Sequence, residues 1–504
     1  MTPGVTSIVI VGGGTAGWMA AAALARFLPA STNIRVVESD EIGTVGVGEA
    51  TIPQIRLFNE GLGIDEDEFV AATQGTFKLG IEFVGWGAPD SRYIHAFGTI
   101  GRGLGLVPFH HYWLRHQASG VTNRLWAYSP TAIAAAQNRF GRPENKPGAL
   151  PSGVNWAFQF DAGLYAAYLR RYAEARGVTR TEGRVVDVVQ DSVSGHVRHV
   201  TLADGQQVAG ELFVDCSGFR GLLIEGALSA GYEDWSRFLP CDRALAVPTE
   251  NAGPLTPVTR STARDAGWQW RIPLQHRTGN GHVYCSAFTS DDEAAATLLA
   301  NLEGRALADP RPLRFVTGRR RGPWTGNVVA LGLAAGFMEP LESTSIHLIQ
   351  SGIARLLQLW PDANFDAALA REFNRQSEFE WTAIRDFIML HYHANARPGD
   401  FWAMCRDIAL PDSLAERIAL FRAGGRIVRE HEELFAEVAW LQVLIGQGVL
   451  PRAHHPLADA LQAAQLDEFL GLAARHAEGV AARMPAHDDF LARHCAAPQL
   501  SKVA

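Results

Sequence analysis

Three groups of residues have types and spacings that could do chemistry. Gly12-Gly-Gly-Thr-Ala-Gly17 carries the Gly-x-Gly-x-x-Gly pattern. Gly12 would permit a tight turn, Gly14 the approach of backbone to a pyrophosphate, and Gly17 the close packing of a helix on a strand. Thr15 and Ala16 would then open a helix whose amides and dipole favour phosphate. Glu38, further along, stands where a carboxylate accepts ribose hydroxyls. The second group is Lys78 in Gly75-Thr-Phe-Lys-Leu-Gly80; only Lys146 and Lys502 are the chain's other lysines. A lysine ordinarily keeps its head in water, so one set among apolar residues and glycines is a candidate for a positioned amine. The third is Glu342 in Glu339-Pro-Leu-Glu-Ser-Thr-Ser345. It is either an acid–base group or simply an acidic residue favouring a helix start, with Ser343 to Ser345 as caps.

These residues need elements to hold them. Ile8–Val11 reads as a strand, Gly12–Gly17 as the turn, Trp18–Phe27 as a helix and Ile34–Glu38 as a second strand, a βαβ unit. Two later strands, in Phe213-Val-Asp-Cys-Ser-Gly218 and Trp324-Thr-Gly-Asn-Val-Val-Ala-Leu-Gly332, also end in glycine turns. Between them the pattern predicts a helix over 160–176, a strand over 184–190, a hairpin over 196–202 and a strand over 211–215. Residues 242–288 alternate like antiparallel strands, with Trp268, Trp270 and Ile272 on one face. A helix is expected over 346–360, and after Gly352 the apolar spacing is helical to the end. The stretch 129–153, with Pro130, Pro143, Pro147 and Pro151, reads as an irregular surface excursion.

Glycine turns after the first, the middle and the late strand resemble the layout of FAD-dependent monooxygenases of the hydroxybenzoate hydroxylase type. Those proteins carry Gly-Asp at the late turn; Gly332-Leu333 stands here instead, which argues against a hydroxylase or epoxidase. A narrower resemblance rests on Gly267-Trp-Gln-Trp-Arg-Ile-Pro273, which matches the Trp-x-Trp-x-Ile-Pro motif of flavin-dependent tryptophan halogenases. Gly-Gly-Gly-Thr-Ala-Gly-Trp18, Val45-Gly-Val-Gly-Glu-Ala-Thr51 and Phe337-Met-Glu-Pro-Leu-Glu-Ser-Thr344 are similar to the same family.

The resemblance implies an α/β (α+β) chain: an FAD-binding Rossmann-like module of the hydroxybenzoate-hydroxylase type with an antiparallel sheet layer, over 1–352. The excursion at about 100–155 would serve the substrate side, and 353–504 would form a C-terminal helical substrate module. It implies FAD used as FADH₂, delivered by a separate diffusible NAD(P)H flavin reductase, together with O₂ and chloride or bromide. Ala50, Val186, Leu333 and Ile346 would join the glycines, Thr15, Ala16 and Glu38 around the cofactor. Lys78 matches the family's catalytic lysine, which fixes hypohalous acid beside one aromatic carbon. Glu342 would polarise that species and take the ring proton, and the amides of Thr344 and Ser345 would bind halide. Family members carry glycine where Ser345 stands; an amide donor survives that change. His95 and Phe97 match the aromatic substrate slot, and Trp268 and Trp270 the pair near the flavin that discourages direct hydroxylation. Trp440-Leu441 stands where tryptophan-specific members place two tyrosines that hold the amino-acid part. An indole-type arene without that part is therefore expected.

Composition bounds the alternatives. With 504 residues, 47% apolar and 19% charged, the chain can bury a large core. Its net charge of −8, with the signs mixed, gives no basic footprint for nucleic acid. Cys216, Cys241, Cys285, Cys405 and Cys495 are sparse and odd in number, as in reduced thiols rather than a disulfide framework or a metal site. No secretory leader or membrane span is read, so a cytoplasmic monomer or homodimer is expected. A flavin-binding protein without turnover is disfavoured by the joint presence of Lys78 and Glu342.

Overall fold

The computed structural model describes residues 4–41, 48–120, 123–143 and 150–499. Residues 45–47 of the motif ending at Thr51 lie outside the described residues. The chain forms two compact units, each built from three stretches. The first comprises Met1–Gln74, Phe160–Asp242 and Arg314–Thr382, and the second Gly75–Gln159, Arg243–Leu313 and Ala383–Ala504. The boundary expected at 352 falls inside the first unit and inside the helix Ser345–Gln358.

In the first unit a six-stranded sheet runs in the order Trp324–Thr325, Val328–Ala330, Leu212–Asp215, Ser7–Val11, Asn33–Glu38, Thr179–Glu182. Only the pair at 324–330 is antiparallel. Ile8, Val9, Ile10 and Val11 are all buried, as a parallel strand covered on both faces requires. The helix Thr15–Phe27 carries Ala20 to Ala23, all buried, so small side chains let it lie close to its neighbours. The helix expected from 160 starts instead at Ala162, because Asp161 ends a strand and caps the helix by accepting from the amides of Gly163 and Leu164. The hairpin expected at 196–202 is the strand Val197–Leu202, central to a meander with Val185–Gln190 and Gln207–Ala209.

Next to an edge strand, Arg311–Arg314, the seven-stranded sheet of the second unit continues as a run ordered Arg243–Thr249, Thr278–Tyr284, Gly267–Pro273, Thr259–Arg264, Gly80–Val84, Arg92–Ala96. It is antiparallel except where Thr259–Arg264 runs parallel to Gly80–Val84. The excursion expected over 129–153 is corrected in its first part. Ser129 caps the helix Pro130–Ala136, whose Pro130, Thr131, Ala132 and Ala134 are buried. Pro130 occupies the first helical position, where a missing N–H costs nothing. Beyond 352 every secondary-structure element among the described residues is a helix, including Ala367–His393, Asp412–Gly424, Glu437–Gly446, Ala463–Ala482 and His487–His494. Among the described residues no helix is long and apolar enough to cross a membrane, and no cluster of His, Cys, Asp or Glu could hold a metal. Among the described residues no disulfide joins the cysteines.

Candidate active site

The glycine turn of the first unit is shaped by three different constraints. Gly12 has φ +112°, and a Cβ there would fall 2.2 Å from the Cys216 carbonyl oxygen. A Cβ on Gly17 would fall 1.9 Å from Gly12 O, whereas one on Gly14 would meet nothing within 4 Å. Backbone at Gly14 thus faces open space, and the helix it caps has no side chain on its first amides. Gly13, a free position in the motif, is constrained too: its Cβ would lie 1.4 Å from Glu38 Oε2. Glu38 ends its strand as expected, with Oε2 accepting from Trp18 Nε1 at 3.3 Å and Oε1 from Arg180. Arg170 adds a second guanidinium at 3.5 Å. Neither arginine nor the tryptophan contact was signalled by the motif. Glu182 pairs with Glu38 across the sheet, and Val186, four positions on, is half exposed, while Ala50 is buried. An open, uncapped helix start beside an ordered carboxylate fits the adenosine diphosphate half of FAD.

The late turn closes onto the same helix. Gly332 has φ +62° and a Cβ there would fall 2.8 Å from Ala16 Cβ, so this position admits only glycine. Leu333 follows, partly buried. Glu342 is fully buried and ends the 3₁₀ turn Pro340–Glu342. Ser343, at φ +58°, then reverses the chain into the helix Ser345–Gln358. Glu342 is therefore not in that helix's first turn, and the side chain of its N-cap residue, Thr344, makes no capping hydrogen bond. Thr344 is fully buried and its Oγ1 has no hydrogen-bond partner among the described residues. Ile346 is buried just beyond it. One turn deeper, Glu380 accepts from Ser351 Oγ and Arg355 Nη2, both at 2.8 Å, and pairs with His347 Nε2 at 2.9 Å. Burial alone would raise the Glu380 pKa, but the bonds and charges of His347 and Arg355 outweigh it and lower it to about 2.

In the second unit Lys78 ends the strand Thr76–Lys78, paired with Ala157, and is fully buried. Its Nζ lies 5.5 Å from the centroid of Phe97. Phe97 touches His95 (6.3 Å between centroids), and His95 meets Phe387 (5.7 Å) and Phe435 (6.2 Å). Phe387 stacks on Phe435 at 3.9 Å and meets Trp440 edge-on at 4.9 Å. Lys78, His95, Phe97 and Trp440 are thus joined in one aromatic array. Phe387 and Phe435 were not singled out from sequence, because at helical spacing they look like ordinary core. The Arg417 guanidinium lies 4.3 Å above the Trp440 ring, and both its terminal nitrogens bind Glu433 at 2.8 Å.

The strand bearing Lys78 is anchored from the far end of the chain. Phe77 N–H donates to His487 Nε2 at 3.3 Å, and His487 Nδ1 donates to Leu255 O at 2.8 Å. Burial pushes the His487 pKa down to about 4, against the opposing bond to Leu255. Trp268 and Trp270 lie on the strand Gly267–Pro273, buried on both faces. Trp268 packs on Trp86 at 6.3 Å, and Trp270 fills the space left by Gly281, where a Cβ would fall 2.0 Å from its ring.

The model of the family described as tryptophan halogenase matches residues 7–463. The chain is 34% identical over 529 residues to tryptophan 7-halogenase RebH of Lentzea aerocolonigenes, covering 97% of this chain and 99% of that protein. Xcc4156, a flavin-dependent halogenase from Xanthomonas campestris, shares 50% of the sequence with a TM-score of 0.95, over 99% of this chain and 100% of that one. BrvH, a flavin-dependent halogenase from Brevundimonas sp. BAL3, shares 48% with a TM-score of 0.94, over 97% and 100%.

Proposed function

Since the chain belongs to the tryptophan halogenase family and is a flavin-dependent halogenase of aromatic substrates, we propose that its substrate is a small, uncharged, electron-rich arene of the indole type. The cofactor in this reading is FAD as FADH₂, supplied by a separate flavin reductase, with O₂ and chloride or bromide. When bound, the reduced flavin supplies with O₂ the two-electron oxidation that turns halide and a proton into hypohalous acid and water.

The chain's own groups do the rest. Amides of Thr344 and Ser345, at an uncapped helix start, hold the halide. Lys78 hydrogen-bonds the hypohalous acid and fixes where its halogen is delivered. The arene carbon forms the carbon–halogen bond as the halogen–oxygen bond breaks, and the ring proton, taken by Glu342, passes to the departing hydroxide, which leaves as water. His95 and Phe97 flank the ring, and Trp268 and Trp270, near the flavin, discourage hydroxylation.

The observation that carries this reading is the fully buried Lys78 amine against Phe97 in an array of aromatic rings. The uncharged end of that array supports the substrate class, because Arg417 is already neutralised by Glu433. The test is to incubate the protein with a reductase, NADH, FAD, bromide and an arene panel, reading bromine isotope patterns by mass spectrometry. Oxygenated arene without halogen would make the protein a monooxygenase instead.

A further inference from the structure

Gln442 is the buried polar residue in the most apolar stretch of the helical half, Glu437–Gly446. It is fully buried, and a buried amide must find partners or destabilise the fold. Its partners are not on its own helix alone. Its Oε1 accepts from Ala96 N–H and its Nε2 donates to Ala96 O, both at 3.0 Å, with Val438 O a third contact at 3.2 Å. Ala96 belongs to Arg92–Ala96, the last strand of the sheet. An edge strand presents unpaired N–H and C=O groups, and here side chains take them up. Gln442 pairs with both groups of Ala96, and Trp126 Nε1 donates to Ile94 O at 2.6 Å. The helix lies close against this strand at its other end too. A Cβ on Gly446 would fall 2.4 Å from the Tyr93 ring.

Ala96 sits between His95 and Phe97, and Gln442 lies two positions after Trp440. The amide therefore ties the strand end that carries two rings of the aromatic array to the helix that carries a third. We propose that Gln442 is a positioning residue: its paired hydrogen bonds to Ala96 set the spacing between His95–Phe97 and Trp440, and so the ring carbon presented for halogenation. This rests on the reading that those three residues line the arene slot.

The test uses the full-length holoenzyme with FAD, a flavin reductase, NADH and bromide, offered an indole whose C3 is blocked by a methyl group, so that several carbons compete. Gln442→Leu keeps the volume and removes both bonds; Gln442→Glu keeps the acceptor and loses the donor. Both should shift the ratio of brominated isomers, Gln442→Leu more, and raise KM about tenfold or more with kcat less affected, since small misplacements are costly. Flavin binding should be unchanged. The isomer ratio does not depend on how much of a preparation is folded, so a destabilised variant still answers. A wild-type ratio in Gln442→Leu together with an altered one in Phe97→Leu would overturn the positioning role and keep the slot. A ratio unmoved by either would overturn the slot reading and this proposal with it. Loss of all folded protein in both Gln442 variants would assign the amide to the fold as a whole and also overturn the proposal.

Discussion

Lys78 Nζ stands 5.5 Å from the centre of the Phe97 ring, and both side chains are buried. An amine in such a place has lost most of its water, which agrees with the positioned amine proposed for the reaction.

Lys78→Ala should leave flavin binding intact and abolish halogenation, because the residue directs the oxidant rather than making it. Hypohalite should then escape and be caught by an added scavenger. Product formation within tenfold of the wild-type rate would remove Lys78 from the mechanism.

Glu342→Gln should lower turnover by roughly 10²-fold, the scale of losing a positioned acid–base group. The amide fits the same buried space, so the 3₁₀ turn and Ser343 reversal should persist and flavin affinity should barely move. Unaltered turnover with normal flavin affinity would make the carboxylate a packing element only.

His487 should make stability fall on acidification. Its folded pKa, about 4, lies below the ordinary histidine value of about 6.5, first because of burial. The unfolded chain therefore binds the extra proton across that interval. The stabilisation is fully present above about pH 6.5 and is lost as pH falls through 4, on the order of 3 kcal/mol in all. His487→Gln can accept from Phe77 N–H and donate to Leu255 O without titrating. Thermal unfolding of both proteins between pH 4 and 7.5 should show the steeper decline in wild type; parallel curves would refute this assignment.

The parts legible in the sequence are those whose constraint is local. Gly12 and Gly14 sit between a strand and a helix that their own neighbours specify, with Gly17 in that helix's first turn, and Lys78 stands out from its flanking residues. Glu342 was legible as a position, but its separation from the helix start depends on the left-handed Ser343, which no local pattern announces. The anchors were invisible for a different reason. His487 meets Phe77 across 410 positions and Gln442 meets Ala96 across 346, and one polar residue on a helix leaves no periodic trace of a partner so remote. The helix Pro130–Ala136 was hidden by its own proline, which marks a helix start as readily as a loop.

Trp440 carries the last prediction, that indole outcompetes free tryptophan. The ring is buried, edge-on to Phe387 and covered by Arg417, whose guanidinium is bound on two nitrogens by Glu433. A zwitterionic amino acid would bring an ammonium and a carboxylate to this end, where Trp440-Leu441 offers no phenolic hydroxyl. Groups left unpaired in a buried site cost a few kcal/mol, which is roughly a hundredfold in kcat/KM. Indole brings no such groups, and its most nucleophilic carbon, C3, should take the halogen. With equal indole and tryptophan in one vessel, halogenated indole should dominate by about that factor. Trp440→Tyr should narrow the gap by restoring one hydroxyl. Halogenated tryptophan as the main wild-type product, substituted on a benzo-ring carbon, would show that residues elsewhere hold the amino-acid part and that Trp440 does not set the choice.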